Sequence, residues 1–123
     1  MVADGVSIWL LIPAVAVVYV LLANLGRVRT ADARRMIAEG ATLLDVRSPE
    51  EVKGDGIEGA INVPVQLVGP GIRESLVNPE QPILCFCLSG SRSSTAVGRL
   101  KRLGFRAYNV GGVGRMRRLL ETS

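Results

Sequence analysis

Histidine is absent from all 123 residues. Without imidazole, a zinc site built from Cys and His is excluded. Cysteine is almost as scarce. Cys85 and Cys87 are the only two, too few for a disulfide framework. Aromatic residues make up 4% of the chain, so no stacking surface runs among the basic side chains. Nucleic acid is therefore not an expected partner, although the net charge is +4. Basic residues are missing from the first 26 positions, and Arg27 is the first of fifteen Lys and Arg.

Mean hydropathy is +0.31, high for a chain that is 21% charged. The excess is concentrated near the start. No charged residue occurs from Gly5 to Gly26, and Ile8 to Leu22 is almost wholly apolar. As a helix this stretch reaches roughly 33 Å, against a bilayer hydrocarbon core of about 30 Å. Trp9 lies near one expected interface, and Pro13 is tolerated in a membrane span. A cleaved signal peptide would carry a basic start, but Asp4 is the only charge there. The expectation is a retained single-pass helix over residues 5–26. Residues 1–4 form an outer tail and 27–29 a short linker. A domain over 30–123 lies on the cytoplasmic side, because Arg27, Arg29, Arg34 and Arg35 follow the span. Anionic membrane lipid is an expected partner of the basic surplus.

Beyond the linker, strand and helix signals alternate. Thr30 reads as a helix cap with Asp32 in the first turn, and Gly40 as the stop. Ala41–Val46 reads as a buried strand. Ser48-Pro49-Glu50-Glu51 opens a short helix, and Ala60–Val63 is a second strand. Ile72–Val77 is a weak helix, Ile83–Cys87 the central strand, and Ser93–Leu103 a helix. Phe105–Val110 is the last strand, Gly111-Gly112 a tight turn, and Val113–Leu120 a basic helix. This alternation predicts an α/β domain with a parallel sheet.

Cys87 stands where the central strand gives way to Leu88-Ser89-Gly90-Ser91-Arg92-Ser93. A short loop opening a helix aims backbone N–H groups at one point, and the helix dipole adds positive charge. A thiol placed there loses its proton readily. Cys87 is thus the candidate nucleophile, Leu88, Ser89, Gly90, Ser91 and Arg92 the candidate anion-binding loop, and Ser93 a supporting residue. Asp45 and Arg47 are supporting residues at the end of their own strand. Cys85, two residues before Cys87 on one strand face, reads as a small buried residue, with a resolving thiol as the sharper option.

Four segments in order carry a family resemblance: Leu43-Leu44-Asp45-Val46-Arg47-Ser48-Pro49-Glu50-Glu51, Ile57-Glu58-Gly59-Ala60-Ile61-Asn62-Val63-Pro64, the Cys87–Ser93 loop with its helix, and Asn109-Val110-Gly111-Gly112-Val113. Over Thr30 to about Leu120 the chain resembles the rhodanese-like sulfurtransferases. The resemblance implies a small α/β domain with a central, mainly parallel sheet flanked by helices. It implies that Cys87 carries sulfane sulfur as a persulfide, from a donor such as thiosulfate to a thiol or cyanide-like acceptor. No cofactor and no metal are expected. A sulfur-carrier or membrane protein is a further candidate partner. Gly56 stands where the family often has His, Leu88 where it often has a basic residue, and Met116 where Trp is common.

Two other readings compete. Phosphatase chemistry shares the Cys and Arg, but four residues separate Cys87 from Arg92, one fewer than in related phosphatases. The loop also has no Asp or His to act as general acid. The other reading is a binding or sensing module that keeps the fold without the catalysis.

Overall fold

The computed structural model describes the backbone of residues 2–121 and the side chains of residues 8–22 and 26–121. Its elements in chain order are α1 (Val2–Leu25), α2 (Thr30–Ala38), β1 (Thr42–Asp45), α3 (Pro49–Asp55), β2 (Ile61–Asn62), β3 (Ile83–Cys87), α4 (Ser91–Arg102), β4 (Ala107–Gly112) and α5 (Val113–Glu121). Two 3₁₀ segments, Val65–Leu67 and Pro70–Ser75, fill the β2–β3 connection. The weak helix expected at Ile72–Val77 is the second of these.

The four strands form one parallel sheet in the order β2-β1-β3-β4. β3 lies inside it and is buried along its whole length. Side chains alternate across a strand. Ile83, Cys85 and Cys87 therefore enter one core with Leu44, Val46, Ala96, Val97 and Leu100, beneath α4. Leu84 and Phe86 enter the other, with Ala33, Met36, Val113 and Met116 from α2 and α5. Helices thus cover both faces of the sheet, the usual arrangement for parallel strands.

Local chemistry explains most boundaries. Ser48 and Glu51 close a full capping box on α3: Ser48 Oγ accepts from Glu51 N, and Glu51 Oε1 accepts from Ser48 N. Thr30 is not the cap of α2. It is the first helical residue, Arg29 holds the cap position without a side-chain bond, and Thr30 Oγ1 accepts from Arg115 instead. Gly111 and Gly112 do not form the expected tight turn. They extend β4 past a register shift, in which Cys85 pairs with Asn109 and Phe86 with Gly111. That irregularity leaves Val110 as an extra residue, as in a bulge.

The transmembrane expectation for residues 5–26 meets a single helix, α1, that runs through Pro13. Its described side chains, residues 8–22, are all exposed. They cover about 22 Å of helix, less than a hydrocarbon core of about 30 Å. Among the described residues, no helix is long and apolar enough to cross a membrane. The expected outer tail, residues 1–4, lies outside the described side chains. The linker 27–29 is tied down: Arg27 bridges to Asn109 in parallel fashion, and Val28 N donates to Asn109 O at 2.8 Å.

Candidate active site

Cys87 ends β3, and the chain must then turn into α4 within three residues. Gly90 makes the turn as the cap of α4, with φ +110, a left-handed conformation that glycine adopts cheaply. The turn folds the Gly90 N–H back onto Cys87 Sγ at 3.0 Å. Ser93, one helical turn on, brings its hydroxyl to 3.5 Å from the same sulfur. Gly112 on β4 lies so close to the loop that a Cβ there would stand 2.7 Å from the Leu88 carbonyl oxygen.

These contacts set the acidity of Cys87. Burial pushes the thiol pKa up. The Ser93 hydroxyl and the N–H groups of Ser93, Gly90 and Ser89 outweigh it and bring the pKa below its ordinary value. Cys85 has no such donors, and burial alone pushes its thiol up to about 12. The two thiols share a strand face, but burial disfavours the thiolate of Cys85 while hydrogen-bond donors favour that of Cys87. Both are free.

The structure buries Cys87 completely. Leu88 and Ser89 lie above it and are themselves exposed.

Arg92 is where geometry departs most from expectation. Its fork does not enter the loop. Nη1 and Nη2 grip the carboxylate of Glu51 on α3 at 2.7 and 3.0 Å. Beside that guanidinium, and with the Ser48 N–H as a second donor, Glu51 titrates at about 2. Ser91 is exposed at the first position of α4. Asp45 and Arg47 pair with each other, both buried, at 2.7 Å. Arg47 also donates to Asp55 O at 2.8 Å, which ties the end of β1 to the end of α3. Both side chains are thus occupied with each other and with the end of α3.

Three residues of the site escaped the sequence reading. Asn109 Oδ1 accepts from Ser93 Oγ at 2.7 Å and from Gly111 N at 2.9 Å, while its Nδ2 donates to Gly90 O at 3.2 Å. Glu51 holds Arg92, and only its place in the capping box marked it. Arg27 donates to Ser89 O at 3.0 Å across 62 positions of sequence. No spacing rule announces such a contact. A cavity of about 320 Å³ lies behind the loop, between Tyr19 and Leu22 of α1 and Gly90, Ser91 and Asn109. Cys87 is not among the residues that line it.

A parallel α/β domain with an acidified thiol at a strand end, beneath amides that open a helix, defines a class: enzymes that transfer a group through an anionic cysteine adduct. Comparison with known proteins makes the class specific. The rhodanese-like domain family model matches residues 29–113. Thiosulfate sulfurtransferase 18 of Arabidopsis thaliana is 34% identical over 98 residues, covering 69% of this chain and 72% of that protein. Human thiosulfate:glutathione sulfurtransferase is 32% identical over 97 residues, covering 68% and 84%. The solved structure of the human single-domain sulfurtransferase TSTD1 superposes with a TM-score of 0.58 at 31% identity, covering 80% of this chain and 97% of that one. The chain belongs to the rhodanese-like domain family, and it is a rhodanese-type sulfurtransferase.

Proposed function

We propose that Cys87 is the sulfur carrier, and that the chain moves sulfane sulfur from a donor such as thiosulfate to a thiol or cyanide-like acceptor. The observation that carries this reading is the Gly90 N–H aimed at Cys87 Sγ from 3.0 Å, inside a loop that lowers the thiol pKa. The Cys87 thiolate attacks the outer sulfur of thiosulfate. A new S–S bond forms, the old one breaks, and sulfite leaves with the bonding pair. The persulfide left on Cys87 is an anion and needs the same N–H donors. Attack on its outer sulfur by cyanide releases thiocyanate and restores the thiolate; a thiol acceptor leaves as its own persulfide. Relatives that act on thiosulfate and on glutathione support these two partner classes. Every loop side chain except Arg92 is small or uncharged, and Arg92 is engaged by Glu51. The loop therefore presents its backbone to the anion.

The test is mass spectrometry of the protein after incubation with thiosulfate. One added sulfur atom, absent in Cys87→Ser, is the expected result. No added sulfur from thiosulfate or any organic sulfane donor overturns the assignment of Cys87.

We further propose that α1 holds the domain at a membrane as a single-pass helix, N-terminus outside and domain cytoplasmic. The support is the uncharged run from Gly5 to Gly26, the exposed apolar side chains of residues 8–22, and the arginines that follow. Carbonate-washed membranes should retain the full chain, and protease should reach the domain only from the cytoplasmic side. Recovery of the chain in the soluble fraction overturns this placement.

A further inference from the structure

We propose that Arg27, from the segment just after α1, is a positioning residue for sulfur transfer: its guanidinium holds the Ser89–Gly90 peptide so that the Gly90 N–H points at Cys87 Sγ. The inference rests on Cys87 being the sulfur carrier.

The argument is one of peptide geometry. Ser89 C=O and Gly90 N–H belong to the same planar trans peptide and point in opposite directions. Arg27 Nη2 holds the oxygen end at 3.0 Å, and Cys87 Sγ accepts from the nitrogen end at 3.0 Å. Turning this peptide away from the sulfur breaks both bonds. A cation on the carbonyl also polarises the peptide and makes its N–H a stronger donor to an anion.

Arg27 is itself held in place. Its segment bridges to Asn109, and Val28 N donates to Asn109 O at 2.8 Å. From α5, Arg115 donates to Val28 O at 2.7 Å and to Val110 O at 2.9 Å. Asn109 Nδ2 in turn holds Gly90 O, the carbonyl of the next peptide. Two consecutive peptides of the loop are thus clamped by two residues whose segments are hydrogen-bonded to each other through Val28 N and Asn109 O. The clamp requires glycine beneath it. A Cβ on Gly111 would meet Arg27 Nε at 2.9 Å, and one on Gly90 would meet Arg27 Nη2 at 3.2 Å.

The other charges around the loop are engaged elsewhere and touch neither the Ser89 carbonyl nor the Gly90 N–H, although Arg92 lies near enough to Cys87 to feel its charge. Arg92 of α4 is engaged by Glu51 of α3, and Asp45 of β1 by Arg47. Arg115 of α5 is engaged with backbone carbonyls and lies near enough to Arg27 to feel its charge. Arg27 supplies in space the cation that Leu88 denies in sequence, and it acts on the backbone, not on the donor.

The test titrates the thiolate by its ultraviolet absorbance in the full chain, with Cys87→Ser as the blank. The method needs no access to the sulfur, and Cys85, at about 12, stays silent below strongly alkaline pH. Arg27→Met keeps the stem and removes the donor; Arg27→Lys restores a charged donor. Arg27→Met should raise the midpoint by roughly one pH unit, about tenfold fewer thiolates at a given lower pH, and Arg27→Lys should recover most of the shift. A merely structural role would lower thermal stability and leave the midpoint alone. An unmoved midpoint in folded Arg27→Met overturns the proposal; if that variant fails to fold, Arg27→Gln is judged by the same criterion. The absorbance reads the thiolate whether or not sulfur moves. Failure of the wild type to accept sulfur would therefore overturn the carrier role of Cys87 while the midpoint still judged Arg27.

Discussion

Replacing Ser93 by Ala separates the acidity of Cys87 from the stability of its loop. The hydroxyl lies 3.5 Å from Cys87 Sγ, and is the largest of the groups that lower the thiol pKa. A hydrogen bond to a charged acceptor contributes about 1.5–3 kcal/mol, and this long one belongs at the low end. Losing about 1.5 kcal/mol of preference for the thiolate raises the pKa by roughly one unit. The acid limb of kcat/KM for thiosulfate should shift to higher pH by that amount, with rates about tenfold lower on the limb and converging with wild type above it. Stability should fall separately, by about 1–2 kcal/mol, at a pH where Cys87 is still a thiol and the single proton of the buried Ser93 hydroxyl is donated to Asn109 at 2.7 Å. The paired assays are a pH–rate profile and a thermal melt. A melt that falls while the acid limb stays in place would refute the reasoning, since Ser93 would then support the fold alone.

Gly112→Ala should push the Leu88 carbonyl away by several tenths of an ångström, costing about 1–3 kcal/mol and slowing persulfide formation; a wild-type melt and rate would contradict the 2.7 Å approach. Glu51 titrates at about 2 when folded against its usual 4.5, so the unfolded chain takes up this proton first as pH falls. The stability that Glu51 contributes should be intact above about 4.5 and drain away towards 2; denaturant melts across that window should show a weaker acid dependence in Glu51→Gln. Leu88→Lys, at a position 61% exposed, should leave the melt unchanged and lower KM for thiosulfate by about two- to fivefold. Added salt should erase that gain, and a neutral organic trisulfide should not show it.

Much of this architecture is visible in the order of residues because its causes are local. Ser48-Pro49-Glu50-Glu51 encodes a cap whose donors and acceptors lie within three positions, and it forms as read. Ile83–Cys87 reads as a central strand because every position is apolar, and each is buried. Thr30 has the residue type of a cap, but its hydroxyl accepts from Arg115 at the far end of the chain. The Gly-Gly pair looked like a turn because glycine permits one. Its use here is close approach, with β4 running on beside the loop and beneath Arg27.

The sequence by itself determined the alternation of strand and helix, the thiol at a strand end, and a loop of small residues that opens a helix. Each of these follows from neighbours in the chain. Tertiary structure alone decided which cations serve that thiol. Arg92 stands in the first turn of α4, five positions from Cys87, yet its fork is turned onto Glu51. Arg27 stands 62 positions from Ser89 and reaches its carbonyl. The physical reason is that a guanidinium on a long stem goes to whichever acceptor the packing brings within 3 Å, and only the assembled sheet sets those distances.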